Sequence, residues 1–177
     1  WEIFNNYFKN INSTIQPTGG NPVQIYNATA IFSIGNDTSI QLNNQWHGVK
    51  IGGSGLESNI FDSCYNGIYA FNLKLLAEGN SINISNFGVE GRDLFDDSYV
   101  RFNKIRDASG IDTTHCREGI RILNIQPRDC NYNIISNNIN ATYRGIFINN
   151  ANSNSSMNLK VRINSNTIKL SGLSQPQ

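Results

Sequence analysis

Charge is scarce in this 177-residue chain: 14 Lys+Arg stand against 13 Asp+Glu, and charged residues make up only 15%. A net charge of +1 gives no footprint for nucleic acid, which needs clustered Lys/Arg to displace phosphate counterions. Long apolar runs are missing too. Nothing approaches the roughly 20 residues of a membrane helix, so no helical membrane insertion is expected. Ala, Leu, Glu and Lys are thin, which argues against long amphipathic helices. Three cysteines, Cys64, Cys116 and Cys130, are too few for a disulfide framework and lack paired metal-ligand spacing. A Cys116–Cys130 bridge and three buried thiols fit equally well. The chain starts at Trp1 with no initiator Met and no basic n-region, which suggests a mature or excised segment of something longer.

What is present is asparagine and isoleucine, 29 and 24 residues. Six Asn-x-Ser/Thr sequons occur, at Asn12, Asn27, Asn36, Asn83, Asn140 and Asn154. Chance gives about four at this composition, so the count lends no support to glycosylation. The asparagines instead fall into a repeat. A pattern φ-x-x-Asn-x-φ, with φ apolar, appears as Ile3–Asn6–Phe8, Val100–Asn103–Ile105, Ile134–Asn137–Ile139 and Ile163–Asn166–Ile168. Gln41–Asn44–Trp46 is a weaker copy. A second signal is Gly followed by a β-branched residue, at Gly48-Val49, Gly67-Ile68, Gly88-Val89, Gly110-Ile111, Gly119-Ile120 and Gly145-Ile146.

Alternating stretches such as Val49-Lys50-Ile51 and Ile146-Phe147-Ile148 read as short strands with one face buried. Asn tolerates the left-handed backbone region and bonds its own turn, so Asn6, Asn44, Asn103, Asn137 and Asn166 are expected at bends. Gly is expected to open the next strand with a backbone angle other residues avoid. Short strands, Asn bends and a period near 21 residues describe a coil whose turns stack, with Asn side chains pairing amide to amide up the stack. An Asn-rich β-sandwich competes, but it does not repeat one bend residue at a near-constant period.

These residues resemble the right-handed parallel β-helix family with its pectate-lyase-like repeat. The resemblance runs from about Ile3 to Leu170 and implies an all-β, single-domain solenoid over 1–177, expected to be a segment of a longer one. At a period of about 21 the chain makes about eight coils, a rod of about 40 Å. Asn-rich β-helices of this look resemble segments of large exported bacterial surface proteins, including ones carried by the type 9 secretion route of Bacteroidota. That implies a secreted or cell-surface location and, beside it, other domains of a longer chain.

Residues 90–130 break the pattern. They hold 15 of the 27 charged residues but only two asparagines, Asn103 and Asn124. The expected structure is an irregular, looped-out region on one face of the solenoid, where a site is sought first. Acid-assisted sugar hydrolysis needs paired carboxyl groups. Asp96-Asp97, then His115, then Arg121, look like an echo of the polygalacturonase branch of β-helix enzymes. The echo departs from that branch: its Asn-Thr-Asp element is missing, His115 is not flanked by glycines, and Arg121 follows too soon. Lyase-type β-elimination would use Asp93, Asp96 and Asp97 as Ca²⁺ ligands. Lys104, Arg106 or Arg121 would then be base or carboxylate clamp. Mixed-sign surface pairing accounts for the same residues. Cys64 is expected to face inward, not to act as a nucleophile.

Aromatics mostly fit core-filling strand positions, and Trp46 beside His47 is the best sugar-stacking candidate. The glycines 52, 53 and 55 lack the Lys-Ser/Thr of a phosphate loop. The expectation is a non-catalytic, adhesin-like or carbohydrate-binding module with no required cofactor. A glycan or cell-surface polysaccharide is the partner, held by Trp46, His47, Asp93, Arg106 and Asp112. A polysaccharide lyase or hydrolase acting on uronate-containing glycans is the first alternative. A structural spacer or fibre segment is the second.

Overall fold

A computed structural model describes residues 2–11, 29–35, 48–94, 97–107, 116–124, 130–150 and 159–170. Apart from one 3-10 turn, Gly55–Glu57, the regular structure among them is strand, arranged as three parallel sheets. Sheet A stacks β1 (Glu2–Ile3), β4 (Gly48–Gly52), β7 (Lys74–Glu78), β10 (Ser98–Arg101), β13 (Cys130–Ile135) and β16 (Leu159–Asn164). Sheet B stacks β2 (Tyr7–Lys9), β5 (Ile60–Cys64), β8 (Ser81–Ile84), β11 (Lys104–Asp107), β14 (Asn138–Ala141) and β17 (Thr167–Leu170). Sheet C stacks β3 (Thr29–Ile34), β6 (Asn66–Phe71), β9 (Phe87–Arg92), β12 (Glu118–Asn124) and β15 (Arg144–Asn150). The chain visits A, B and C in turn, and each strand pairs in parallel with the strand three places on. This is the order of a parallel β-solenoid.

The motif now has a physical meaning. Its first apolar residue forms the inward column of sheet A, with Ile3, Ile51, Ala77, Val100, Ile134 and Ile163 in register. Its last forms the inward column of sheet B: Phe8, Phe61, Ile82, Ile105, Ile139 and Ile168. Sheet C contributes Ile31, Ile68, Val89, Ile120 and Ile146. Residues of all three sheets join in one buried cluster. Fully burying a side chain such as Ile51, which has no exposed surface, contributes about 1.5–3 kcal/mol.

Between sheets A and B the asparagines form a continuous ladder through Asn6, Asn59, Asn80, Asn103, Asn137 and Asn166. Each donates its main-chain N–H and its Nδ2 to the Oδ1 of the next. From Asn80 to Asn103 these bonds are 3.0 and 2.9 Å. From Asn103 to Asn137 they are 3.0 and 3.1 Å. Nδ2 also donates back to a carbonyl of the preceding rung, as from Asn103 to Ala77 O at 2.9 Å. The left-handed conformation expected of these asparagines belongs instead to the residue before them. Asn5, Phe102, Ser136 and Ser165 have φ between 54 and 57°, and Gly79 has φ 65°. The ladder asparagine is selected for two acceptor lone pairs and two donors in a fixed plane, not for backbone freedom.

The Gly-Ile signal is corrected in the same way. Gly67, Gly88, Gly119 and Gly145 start the inward turn of sheet C, and none has a positive φ. They are glycines because of space. A Cβ on Gly88 would lie 2.6 Å from Ile105 Cγ2 and 2.7 Å from Gly119 O. One on Gly119 would lie 2.4 Å from Ile139 Cγ2. The isoleucines of sheet B fill the volume that the glycines leave empty. Gly88→Ala is therefore expected to cost about 1–3 kcal/mol by overpacking, read as a lowered urea midpoint. An unchanged midpoint would refute this account of the glycine column.

Two further expectations change. The described residues form six rungs, not the expected eight. Steps along the ladder are 53, 21, 23, 34 and 29 residues, so only the central rungs run near the minimal period. Residues 90–130 are also not one irregular loop. They supply the end of β9 and all of β10, β11 and β12, each in register with its neighbours.

Candidate functional site

Two outward faces carry chemistry. On sheet A, the burial alternation of β4 and β7 turns Val49, Ile51, Leu75 and Ala77 inward and Lys50, Lys74, Leu76 and Glu78 outward. Gly48 stacks on Lys74, and a Cβ on it would lie 2.7 Å from Lys74 O. The result is a groove of about 460 Å³ lined by Glu2, Lys50, Lys74, Leu76, Glu78 and Arg101. Lys50 Nζ lies 3.4 Å from Glu57 Oε2, and Arg101 Nη2 lies 3.0 Å from Glu78 Oε2. The Arg101 guanidinium sits 5.4 Å from the Tyr99 ring centroid and 5.8 Å from that of Phe102. Such a surface offers paired donors and acceptors over an apolar floor. These pairs are partly solvated and add little to stability, so they remain available to a ligand.

On sheet C the outward column is Phe32, Tyr69, Glu90, Arg121 and Phe147. Phe32 and Tyr69 stack with ring centroids 4.9 Å apart and 8° between planes. Glu90 is fully buried, and its carboxylate is held between Arg92 and Arg121. Arg121 continues to Glu118 at 3.2 Å, and Glu118 to Arg144 at 3.4 Å. Arg144 lies 4.0 Å from the Phe147 ring centroid and 4.5 Å from that of Tyr143. Four of the 15 charged residues in 90–130, Arg92, Glu90, Arg121 and Glu118, thus join Arg144 in an alternating Arg-Glu-Arg-Glu-Arg chain that ties β9, β12 and β15 together. With its carboxylates already paired, this face has less to offer a ligand than the sheet A groove.

The residues singled out from the sequence are dispersed. Trp46, His47, Asp96, Asp112 and His115 lie outside the described residues, as does Asn44. Asp97 stands before β10 and accepts a 3.0 Å bond from Asn131 Nδ2. Lys104 and Arg106 are exposed on β11 in sheet B. Arg121 belongs to sheet C. Asp93 is buried at the corner after β9 with φ 44°, and its N–H donates to Leu123 O at 2.9 Å. Asp97, Lys104 and Arg121 therefore stand on different elements: before β10, on β11 and on β12. Among the described residues no group of three or more His, Cys, Asp or Glu side chains is placed to hold a metal. Cys64 is buried as expected, and burial pushes its thiol pKa up, away from nucleophilic use. Cys116 is buried, and its Sγ lies 3.7 Å from Glu118 O.

Sequence reasoning passes over Lys50, Lys74, Glu78 and Arg101, because nothing in their spacing marks a shared face until the register is known. It also passes over Asn59 and Asn80. For Asn80 the signal is present: Ala77-x-x-Asn80-x-Ile82 fits the motif once Ala counts as apolar. Leu56-x-x-Asn59-x-Phe61 fits in letters only. Leu56 is 91% exposed, and Ile51 fills the inward place. No protein-family model matches the sequence, and no curated protein or solved structure shows significant similarity to it.

Proposed function

We propose that this chain is a right-handed parallel β-helix that works as an exported or cell-surface binding module. It holds a polysaccharide in the sheet A groove without transforming it. The observation that carries this reading is the composition of the groove. Ion pairs from neighbouring rungs flank an apolar floor of Leu76, with Tyr99 beneath the Arg101 guanidinium. Sugar hydroxyls require donors and acceptors side by side, and guanidinium and carboxylate groups provide both. Sugar C–H faces require an apolar or aromatic surface. Rungs recur about every 4.8 Å, so a polymer of similar repeat meets comparable chemistry along the rod. The lyase and hydrolase readings need acid and base groups close together, and they are less supported because Asp97, Lys104 and Arg121 stand before β10, on β11 and on β12. An adhesin and a carbohydrate-binding module are the same reading at two scales.

Binding of the intact chain to a panel of neutral and uronate-containing polysaccharides tests this. Wild type is expected to bind at least one member, and Lys74→Ala with Arg101→Ala to weaken that binding at least tenfold while melting normally. Absence of binding across the panel, or equal binding by the variant, would sink the proposal. Ultraviolet absorbance from unsaturated product in the same incubations would show cleavage and replace binding with lyase activity.

A further inference from the structure

The residue ahead of each ladder asparagine turns the corner from sheet A to sheet B. In chain order these residues are Asn5, Ser58, Gly79, Phe102, Ser136 and Ser165. Phe102 stands apart from the Asn, Ser and Gly of the other rungs. Its φ is 57°, a left-handed conformation that strains a bulky side chain and that Asn or Gly adopts readily. The rungs on either side impose it. Gly79 N–H donates to Arg101 O and Phe102 N–H to Ile135 O, both at 3.1 Å.

The strained side chain is also exposed. Phe102 is 55% exposed although it lies on an inner rung, between β10 and β11, with strands paired on both sides of each. Phe8 stacks on Phe61 and Phe32 on Tyr69, whereas the Phe102 ring meets no other aromatic ring among the described residues. Its neighbours in the corner column, Gly79 and Ser136, carry no side chain large enough to cover it. The ring contact it does make is to the Arg101 guanidinium, 5.8 Å from its centroid. An aromatic ring held in solvent, where the backbone favours Asn or Gly, adds little to folding. Strain of this kind collects at binding sites.

Arg101 places the ring beside the sheet A groove. The same guanidinium bonds Glu78, a groove residue, at 3.0 Å and lies 5.4 Å from the Tyr99 ring centroid. Tyr99 and Phe102 thus flank one guanidinium whose charge a carboxylate already meets. Lys50 is matched in the same way by Glu57. Matched charge gives no preference for an anionic polymer, and aromatic rings suit the C–H face of a pyranose. That face is flattest where every ring substituent is equatorial.

We infer that Phe102 is a ligand-contacting residue that selects a neutral polysaccharide of all-equatorial pyranoses, a β-linked gluco-type polymer. The inference rests on the sheet A binding reading and extends that site around the corner toward sheet B. The ring stacks on a sugar face at the edge of the groove, while Arg101 and Glu78 bond sugar hydroxyls.

Calorimetric titration of the intact chain with cellohexaose, and with an equally long β-galactan oligosaccharide whose sugars each carry an axial oxygen, tests it. Wild type is expected to bind cellohexaose about fivefold more tightly than the galactan, and Phe102→Asn to lose about fivefold in affinity for cellohexaose. Phe102→Tyr keeps the ring and is expected to bind like wild type. The urea midpoint of Phe102→Asn is expected to equal or exceed that of wild type, because Asn accepts the left-handed corner. Equal binding of cellohexaose by Phe102→Asn would overturn the inference and leave the groove reading standing. So would wild type that binds another polysaccharide but not cellohexaose, or that prefers the galactan. A lowered midpoint would assign the ring to packing, and self-association lost in Phe102→Asn would assign it to contact between copies; either result overturns the inference. Wild type that binds no polysaccharide at all overturns both readings.

Discussion

Replacing Asn103 with Ala is expected to lower the free energy of unfolding by about 3–5 kcal/mol. Asn103 is 1% exposed, and four bonds converge on its side chain. Its Oδ1 receives Asn80 N and Asn80 Nδ2, while its Nδ2 donates to Ala77 O and Asn137 Oδ1. Truncation leaves the Asn80 N–H and the Ala77 carbonyl buried without partners, and each such group costs about 1–3 kcal/mol. Asn6→Ala is the matched control. Asn6 is exposed, so water replaces its lost bonds and the cost stays at about 1 kcal/mol. Urea unfolding of the two variants measures the difference. Equal costs would mean that the ladder contributes no more inside the rod than at its end.

Glu90→Ala is expected to destabilise by about 3 kcal/mol, because it removes a fully buried carboxylate and leaves two guanidiniums facing each other. The Arg92 and Arg121 side chains are each 25% exposed, so part of their charge relaxes toward solvent and the cost falls at the lower end of the range for a broken buried pair. Replacing Glu90 and Arg121 together with Leu is expected to recover most of the loss, since a well-packed apolar pair substitutes for a buried ion pair. Thermal melts of the single and double variants check both statements. A Glu90→Ala protein that melts like wild type would show that the Arg-Glu chain is decorative.

The motif made the ladder and two of the three inward columns legible, because Asn103, Asn137 and Asn166 and their flanking apolar residues keep one spacing. That spacing is local, set by the corner between two consecutive strands. The third sheet was harder to read, since Gly88 and Gly119 are dictated by isoleucines of another strand rather than by their own neighbours. Charge was the least legible feature. Glu90, Glu118 and Arg121 look like loop residues in the sequence, yet they sit in strands, because outward positions of adjacent rungs pair only after the chain has travelled 31 residues from Glu90 to Arg121. The sheet A groove was invisible for the same reason: Lys50, Glu78 and Arg101 meet through register, which composition and spacing do not reveal.

Unequal ladder steps have a consequence for how such a molecule can change over generations. The spacing between Asn6 and Asn59 is 53 residues and that between Asn59 and Asn80 is 21, yet both pairs make the same bonds. The length of chain between rungs is therefore decoupled from core registration. A lineage can lengthen, shorten or rewrite the chain between strands while the ladder keeps its alignment, and such change need not be matched by compensating change inside.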